Sequence, residues 1–351
     1  MKNRVSYMEG ALNFGYREDE MPKPGSGEVV VEVEYVGVCG SDLHFFESGM
    51  IGPRRIEGQQ TLGHEAAGVV YEVGEGVTEL AVGDRVAIEP GIACGKCRYC
   101  REGYYNLCPD VHFISSNPYQ GAMRQFIAHP ANLCFKLPPN VSTLEGALIE
   151  PLAVGMHAAR QSCVELGNTV VILGCGCIGL TTLLSVKAMG ATRIIVTDLC
   201  DNRLEMATSL GATETINSGK VDPVARVMEL TDNDGADIVF ETAGSRFTAA
   251  QTGGLVRRGG VIMIVGNVFG ETPFNFHQIS TQEVTIKSVF RYRNIYPLAI
   301  KAIQSGKINV KAIASDIFDF NHIEEGMLKA IREKDNVVKV VIKVKDDISG
   351  A

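Results

Sequence analysis

The chain has 351 residues, 45% apolar and 21% charged, with a formal net charge of −8, a length that predicts two domains with a core each. The acidic balance and the lack of a basic block argue against nucleic acid as a partner. No stretch approaches the uncharged apolar length that crosses a bilayer, and residues 1–16 lack the apolar core of a signal peptide, so neither membrane nor export is expected. Ten cysteines in such a chain read as metal ligands and reduced core thiols rather than a disulfide framework, which points to the cytoplasm.

In chain order, residues 1 to about 37 predict β-hairpins, with the alternating run at 28–36 as a strand after a Pro/Gly turn at 22–27. A loop and short helix follow, carrying Cys39, Ser41, Asp42 and His44. Residues 49–60 read as a surface loop. Strands are expected at 68–74 and 84–89, so the first 150 residues form a turn-rich β half. Cys94, Cys97, Cys100 and Cys108 then cluster with two, two and seven residues between them. Four such sulfurs can enclose one tetrahedral ion, and structural zinc is the favoured reading. Four reduced core thiols fit poorly in a segment holding Lys96, Arg98, Arg101 and Glu102. An iron–sulfur cluster fits poorly with the seven-residue gap, although Pro109 follows Cys108.

From about 153 the pattern changes to alternating strands and helices, which predicts a doubly wound parallel sheet. Strands are expected at 169–174, 193–198, 237–241, 260–266 and 285–290. Gly174, Gly176 and Gly179 follow the first strand and open a helix, and Asp198 ends the next strand about twenty residues later. That context predicts a dinucleotide site. The glycines admit the pyrophosphate to a helix N-terminus, and Asp198 accepts the adenosine ribose hydroxyls and repels a 2′-phosphate, which favours NAD over NADP. Arg203 reads either as a residue over the adenine or as a solvated helix residue. Cys175 and Cys177 read as loop fillers, not a redox pair.

Cys39, His64, Glu65 and Glu150 are donors that suit zinc in a site with room for water or substrate. Glu65 has a second reading, orienting a ligand from behind the metal. Glu150 lies in an apolar stretch and needs a partner there, which a cation would provide. His44 reads as a proton relay or as a surface imidazole. His112, His129, His157, His277 and His322 read as structural. A Lewis acid and a hydride acceptor in one chain predict a zinc-dependent, nicotinamide-linked alcohol dehydrogenase.

The residues at 39–44, 63–65, 84–91, 105–109, 147–151 and 289–292 resemble the zinc-dependent medium-chain alcohol dehydrogenases over essentially the whole chain, and the Glu-Pro and Phe-Arg-Tyr pieces resemble their polyol branch, the sorbitol, xylitol and L-iditol 2-dehydrogenases. The resemblance implies a GroES-like catalytic domain at 1–152 with a structural-zinc lobe at about 94–108, an NAD-binding Rossmann domain at 153–290, and a segment at 291–351 that completes the first. It implies a catalytic zinc on Cys39, His64 and Glu65, with Glu150 bound directly or through water. Ser41 would touch the substrate oxygen, with His44 on the proton path and Ile178, Val265 and Phe290 as further cofactor contacts. Phe45, Phe113, Ser116, Arg291 and Tyr292 would line a polyol channel. Phe45 stands where relatives commonly have tyrosine and Ser116 where they have threonine, changes that bear on which polyol is used. The implied reaction oxidises a secondary hydroxyl of a sugar alcohol to the ketose with hydride transfer to NAD, in a dimer or tetramer. The alternatives are a 2,3-diol, threonine or a sugar-alcohol phosphate, for which Arg54 and Arg55 are candidate contacts, and, outside enzymes, a zinc- and dinucleotide-binding protein.

Overall fold

The computed structural model describes residues 2–51 and 54–345, with the backbone alone at 51 and 54. The chain forms two compact units. The first holds the residues up to Glu150, Tyr296–Gln304 and those from Ala314 on, and the second holds Pro151–Ile295 and Ser305–Ile313. The tail expected at 291–351 is therefore divided. Its Val310–Ile313 turn packs on the helix Cys177–Met189 of the second unit, with Ile308, Val310 and Ile313 buried.

The first unit is built on a seven-stranded sheet. Along its main path the order is Cys134–Lys136, Arg85–Ile88, Glu65–Val73, Glu28–Gly37, Val340–Lys343 and Asp316–Asp319, and Phe126–Pro130 also pairs with Glu28–Gly37. The central strand Glu28–Gly37 buries Val29, Val30, Val31, Val33 and Val36. Such a β-branched run suits a strand covered on both faces. The register positions the site: Gly37 lies opposite Glu65 on one neighbour and opposite Val341 on the other. The strand Val340–Lys343 thus lies one strand away from the strand that begins at Glu65, across Glu28–Gly37.

The second unit is a six-stranded parallel sheet in the order Glu214–Asn217, Arg193–Asp198, Thr169–Leu173, Ala236–Glu241, Val256–Ile264, Thr285–Ser288. The first strand in sequence, Thr169–Leu173, sits inside, and the order reverses next to it, as in a Rossmann sheet. Its residues 170–173 are fully buried. The strand Glu214–Asn217 escapes the sequence reading because it is short, lies at an edge and buries only Ile216.

Tyr296 is almost fully buried, and its hydroxyl donates to the Ile88 carbonyl at 2.9 Å across 208 positions of sequence. This bond ties the returning helix Tyr296–Gln304 to the sheet of the first unit. Tyr296→Phe keeps the ring and removes the donor, so urea unfolding is expected to show a loss of about 1–2 kcal/mol. An unchanged midpoint would mean that the bond adds nothing to stability.

Candidate metal and cofactor sites

Cys39 caps the helix Gly40–Ser48. Three residues on, the buried Asp42 turns its carboxylate back towards it. Oδ2 accepts from the Cys39 amide at 3.0 Å, while Oδ1 accepts from the Gly63 amide at 3.2 Å and from Ser115 Oγ at 3.0 Å. The same Oδ1 lies 3.8 Å from His64 Nδ1. Asp42 therefore fixes Cys39 and the approach to His64 together. The Phe113 ring packs on the imidazole, with centroids 5.3 Å apart.

Glu65, 1% exposed, begins the next strand. Its Oε1 accepts from Lys339 Nζ at 2.6 Å, and Lys339, itself 3% exposed, also donates to the Val38 carbonyl at 3.0 Å. Glu65 Oε2 is buried with no hydrogen-bond partner. It crowds Gly37, where any Cβ would collide with it. One donor atom each from Cys39, His64 and Glu65 lies within 4.8 Å of the others, and Glu150 stands outside that group. Burial alone would lower the His64 pKa, but Asp42 and then Cys39 raise it to about 10. The pocket thus carries surplus negative charge. A sulfur, an imidazole and an unfilled carboxylate oxygen in such a field fit a zinc ion.

Glu150 is buried in the first turn of the helix Ile149–Gln161 and acts on His64 electrostatically. Glu89 is a second buried acid. Its Oε1 accepts from Tyr105 Oη at 2.8 Å, and burial pushes its carboxyl up to about 7, with Glu150 adding to the rise. His129 Nε2 donates to the Glu89 backbone carbonyl at 2.9 Å, and burial lowers its pKa to about 4. Ser41 is half-buried and His44 exposed on the helix of Cys39, whereas Phe45 is buried in the apolar core of the unit. Ser116 is half-buried and its amide donates to Phe113, while its neighbour Ser115 makes the bond to Asp42. Arg55 is exposed, and the Arg54 side chain lies outside the described residues.

The four cysteines of the lobe converge, with donor sulfurs all within 4.8 Å. Cys97 and Cys100 are 3.4 Å apart and Cys94 and Cys100 4.0 Å. Four zinc–sulfur bonds at tetrahedral angles place sulfurs about 3.8 Å apart. Backbone amides aim at the sulfurs: Cys94 donates to Cys108, Cys97 to Cys94 and Cys100 to Cys97. Amides of Lys96 and Cys97 lower the Cys94 thiol to about 7, towards the thiolate that a metal requires. All ten cysteines are free. Among the described residues no helix is long and apolar enough to cross a membrane.

In the second unit the helix Cys177–Met189 begins at Gly176. Gly179 must be glycine, because a Cβ would collide with the Gly174 carbonyl. Asp198 Oδ2 accepts from the Cys175 amide at 2.6 Å, and Oδ1 accepts from Leu199 and Cys200 at 2.8 and 3.0 Å. Its carboxylate is thereby fixed beside the glycine turn with acceptor capacity left over. Arg203 Nη1 is 3.9 Å from where a Gly176 side chain would start. Ile178 is half-buried in the first turn. Thr242 Oγ1 donates to the Leu173 and Gly174 carbonyls, both at 2.9 Å. The Val265 amide donates to the Glu241 carbonyl at 2.9 Å. Phe290 is exposed, Arg291 lies over its ring at 4.8 Å, and Tyr292 is buried.

Asp42 is legible only as a capping acid three residues after Cys39. Lys339, Glu89, Ser115 and Thr242 carry no local signal, since each acts through a partner far along the chain.

Two family models match, the alcohol dehydrogenase GroES-like domain over residues 25–139 and the zinc-binding dehydrogenase over residues 177–305. The chain belongs to the zinc-type medium-chain alcohol dehydrogenase family, and it is a zinc-dependent oxidoreductase of that family. It is 49% identical over 348 residues to an uncharacterised zinc-type alcohol dehydrogenase-like protein of Escherichia coli K12, covering 99% of this chain and all of the relative. It is 40% identical over 341 residues to a sorbitol dehydrogenase of Bacillus subtilis, covering 95% and 97%. A crystal structure of an Escherichia coli oxidoreductase of unknown specificity superposes with a TM-score of 0.95 at 48% identity, covering 99% of this chain and 100% of that one.

Lys339→Met strips a buried carboxylate of its cation, which costs about 3–5 kcal/mol where nothing replaces it. A zinc on Oε2 would replace part of it, so the fall in thermal stability should be larger in chelator than in zinc; equal falls would count against Glu65 as a ligand. Glu89 yields a second expectation. Its folded pKa of about 7 exceeds the unfolded value of 4.5, so the folded state binds more protons between the two. Stability from this group is full below about 4.5, falls through about 7 and stays lower above, by on the order of 3 kcal/mol. Glu89→Gln keeps an acceptor for Tyr105 and should flatten that fall in urea titrations at pH 5 and 8; an identical slope would dismiss the shift.

Proposed function

We propose that the chain is an NAD-linked polyol dehydrogenase that oxidises a secondary hydroxyl of a sugar alcohol of the sorbitol or xylitol type to the ketose. One observation carries the reading: the close group of half-buried Cys39 with buried His64 and Glu65, with an unfilled carboxylate oxygen, in a chain that also fixes Asp198 beside a glycine fingerprint. Likeness to a sorbitol dehydrogenase supports the polyol. Zinc held by Cys39, His64 and Glu65 would supply Lewis-acid polarisation of the substrate hydroxyl, and NAD would accept the hydride.

The chain's own groups do the rest. Ser41 Oγ accepts the hydroxyl proton as it gives up its own to water, and the exposed His44 on the same helix hands a proton on to solvent. Glu150 holds negative charge beside His64 and steadies the cation. Phe113 covers the imidazole and keeps water from it. Arg291 and Tyr292 bind remote hydroxyls, so that binding energy orients the reacting carbon. The four-cysteine lobe holds a second, structural zinc. The free thiols suit a reducing, cytoplasmic setting. The open edge strand Thr285–Ser288, with Ile286 exposed, suits pairing with a second copy.

The test is NADH formation by zinc-loaded protein across sorbitol, xylitol, galactitol, butanediol and threonine, with NADP as the alternative acceptor and with and without chelator. Chelator-sensitive turnover of a polyol with NAD is the expected result. Turnover of only threonine or butanediol would move the substrate, and no turnover of any would overturn the reading.

A further inference from the structure

The strand order dictates where the two halves of a dinucleotide go. With the pyrophosphate at the N-terminus of the helix Cys177–Met189 and the ribose at Asp198, the adenosine half lies over the Arg193–Asp198 strand. The other half then crosses Thr169–Leu173 to the far side of the switch point, over the ends of Ala236–Glu241 and Val256–Ile264. Both ends are held by one residue, Glu241.

Glu241 is fully buried. Its Oε1 accepts from the amides of Gly244 and Ser245 at 2.9 and 3.4 Å and from Thr248 Oγ1 at 2.7 Å. Its backbone carbonyl accepts from the amides of Val265 and Gly266, both at 2.9 Å. Oε2 has no hydrogen-bond partner and lies against Gly266, where a Cβ would sit 2.7 Å away. The next residue, Thr242, bonds to the carbonyls of Leu173 and Gly174 at the glycine fingerprint. Burial raises the carboxyl above its ordinary range. An apolar side chain would fill this place without burying an unfilled oxygen. The carboxyl instead secures the loop at 242–248 and sets its second oxygen against Gly266, while the residue's own carbonyl holds Val265 and Gly266 and its neighbour Thr242 holds the glycine turn.

We propose that Glu241 is the positioning residue for the nicotinamide half of the cofactor, fixing the spacing between the loop at 242–248 and the edge at 265–266 on which that half rests. The proposal rests on the NAD reading above. Its test compares NADH with ADP-ribose, which keeps the adenosine and pyrophosphate but lacks the nicotinamide. Calorimetric titration of Glu241→Ala should show NADH weakened about tenfold or more, ADP-ribose held within about twofold, and KM for NAD rising with the NADH dissociation constant. Glu241→Gln, which keeps the Oε1 acceptor, should restore NADH to within about threefold of the parent. If Glu241→Ala does not fold, Thr248→Val removes one of the three donors and should weaken NADH selectively. Equal loss of both ligands, or loss of neither, overturns the proposal. A parent protein that binds neither ligand overturns the NAD reading itself, and this inference with it.

Discussion

A carboxylate buried at Glu65 must be neutralised, and Lys339 neutralises it through one of its two oxygens. The ion pair is short, 2.6 Å, and both side chains are out of water. Buried charge without a partner is costly, and the fold brings these two together across a sequence separation of 274. The sheet achieves it by register: Gly37 lies between Glu65 and Val341, and Ser315 Oγ accepts from the Lys339 amide at 3.2 Å. The lysine saturates Oε1 and leaves Oε2 unfilled. The end of the chain thereby sets which oxygen of Glu65 is available to a cation.

The other members of the group depend on a second buried acid. Asp42 accepts from Cys39, Gly63 and Ser115, and its field, with that of Cys39, draws a proton onto His64. Asp42, Glu150 and the Cys39 thiol around one imidazole make a pocket that favours positive charge. The pattern recurs in the second unit with a different purpose. There Asp198 and Glu241 each gather backbone amides, one on either side of the glycine turn. Carboxylates fixed by amides are stiff, and stiffness at strand ends is what a cofactor site requires.

Much of this was legible in the residues. Continuous apolar runs marked the parallel strands, alternation marked the antiparallel ones, and the spacings of cysteines and glycines marked two sites, because each of these signals is local. The glycine fingerprint and the cysteine lobe close on themselves within a few residues. Lys339 was not legible, since a lysine near the end of a strand is ordinary until its register places it beside Glu65. In the sequence Glu241 marks only the end of a strand, because the amides that bind it belong to the turn beyond. The division of the tail is hidden for a similar reason: three buried aliphatics at 308, 310 and 313 give no sign of which core they join.

Substrate choice follows a different logic from metal and cofactor binding. The surroundings of Cys39 and of Asp198 are anchored by several hydrogen bonds each, so they tolerate few residue types. Phe45, expected in the channel, is buried in the core, where apolar side chains interchange at modest cost. Arg291 is the exception. It holds a left-handed backbone at φ 55, its guanidinium lies over the Phe290 ring at 4.8 Å, and the buried Tyr292 follows it. An arginine in that conformation costs about 1–3 kcal/mol, and such strain persists where neighbours enforce it. Glycine would adopt the same backbone freely and would lose only the side chain. The backbone here is therefore held by its neighbours, with the guanidinium packed over the Phe290 ring.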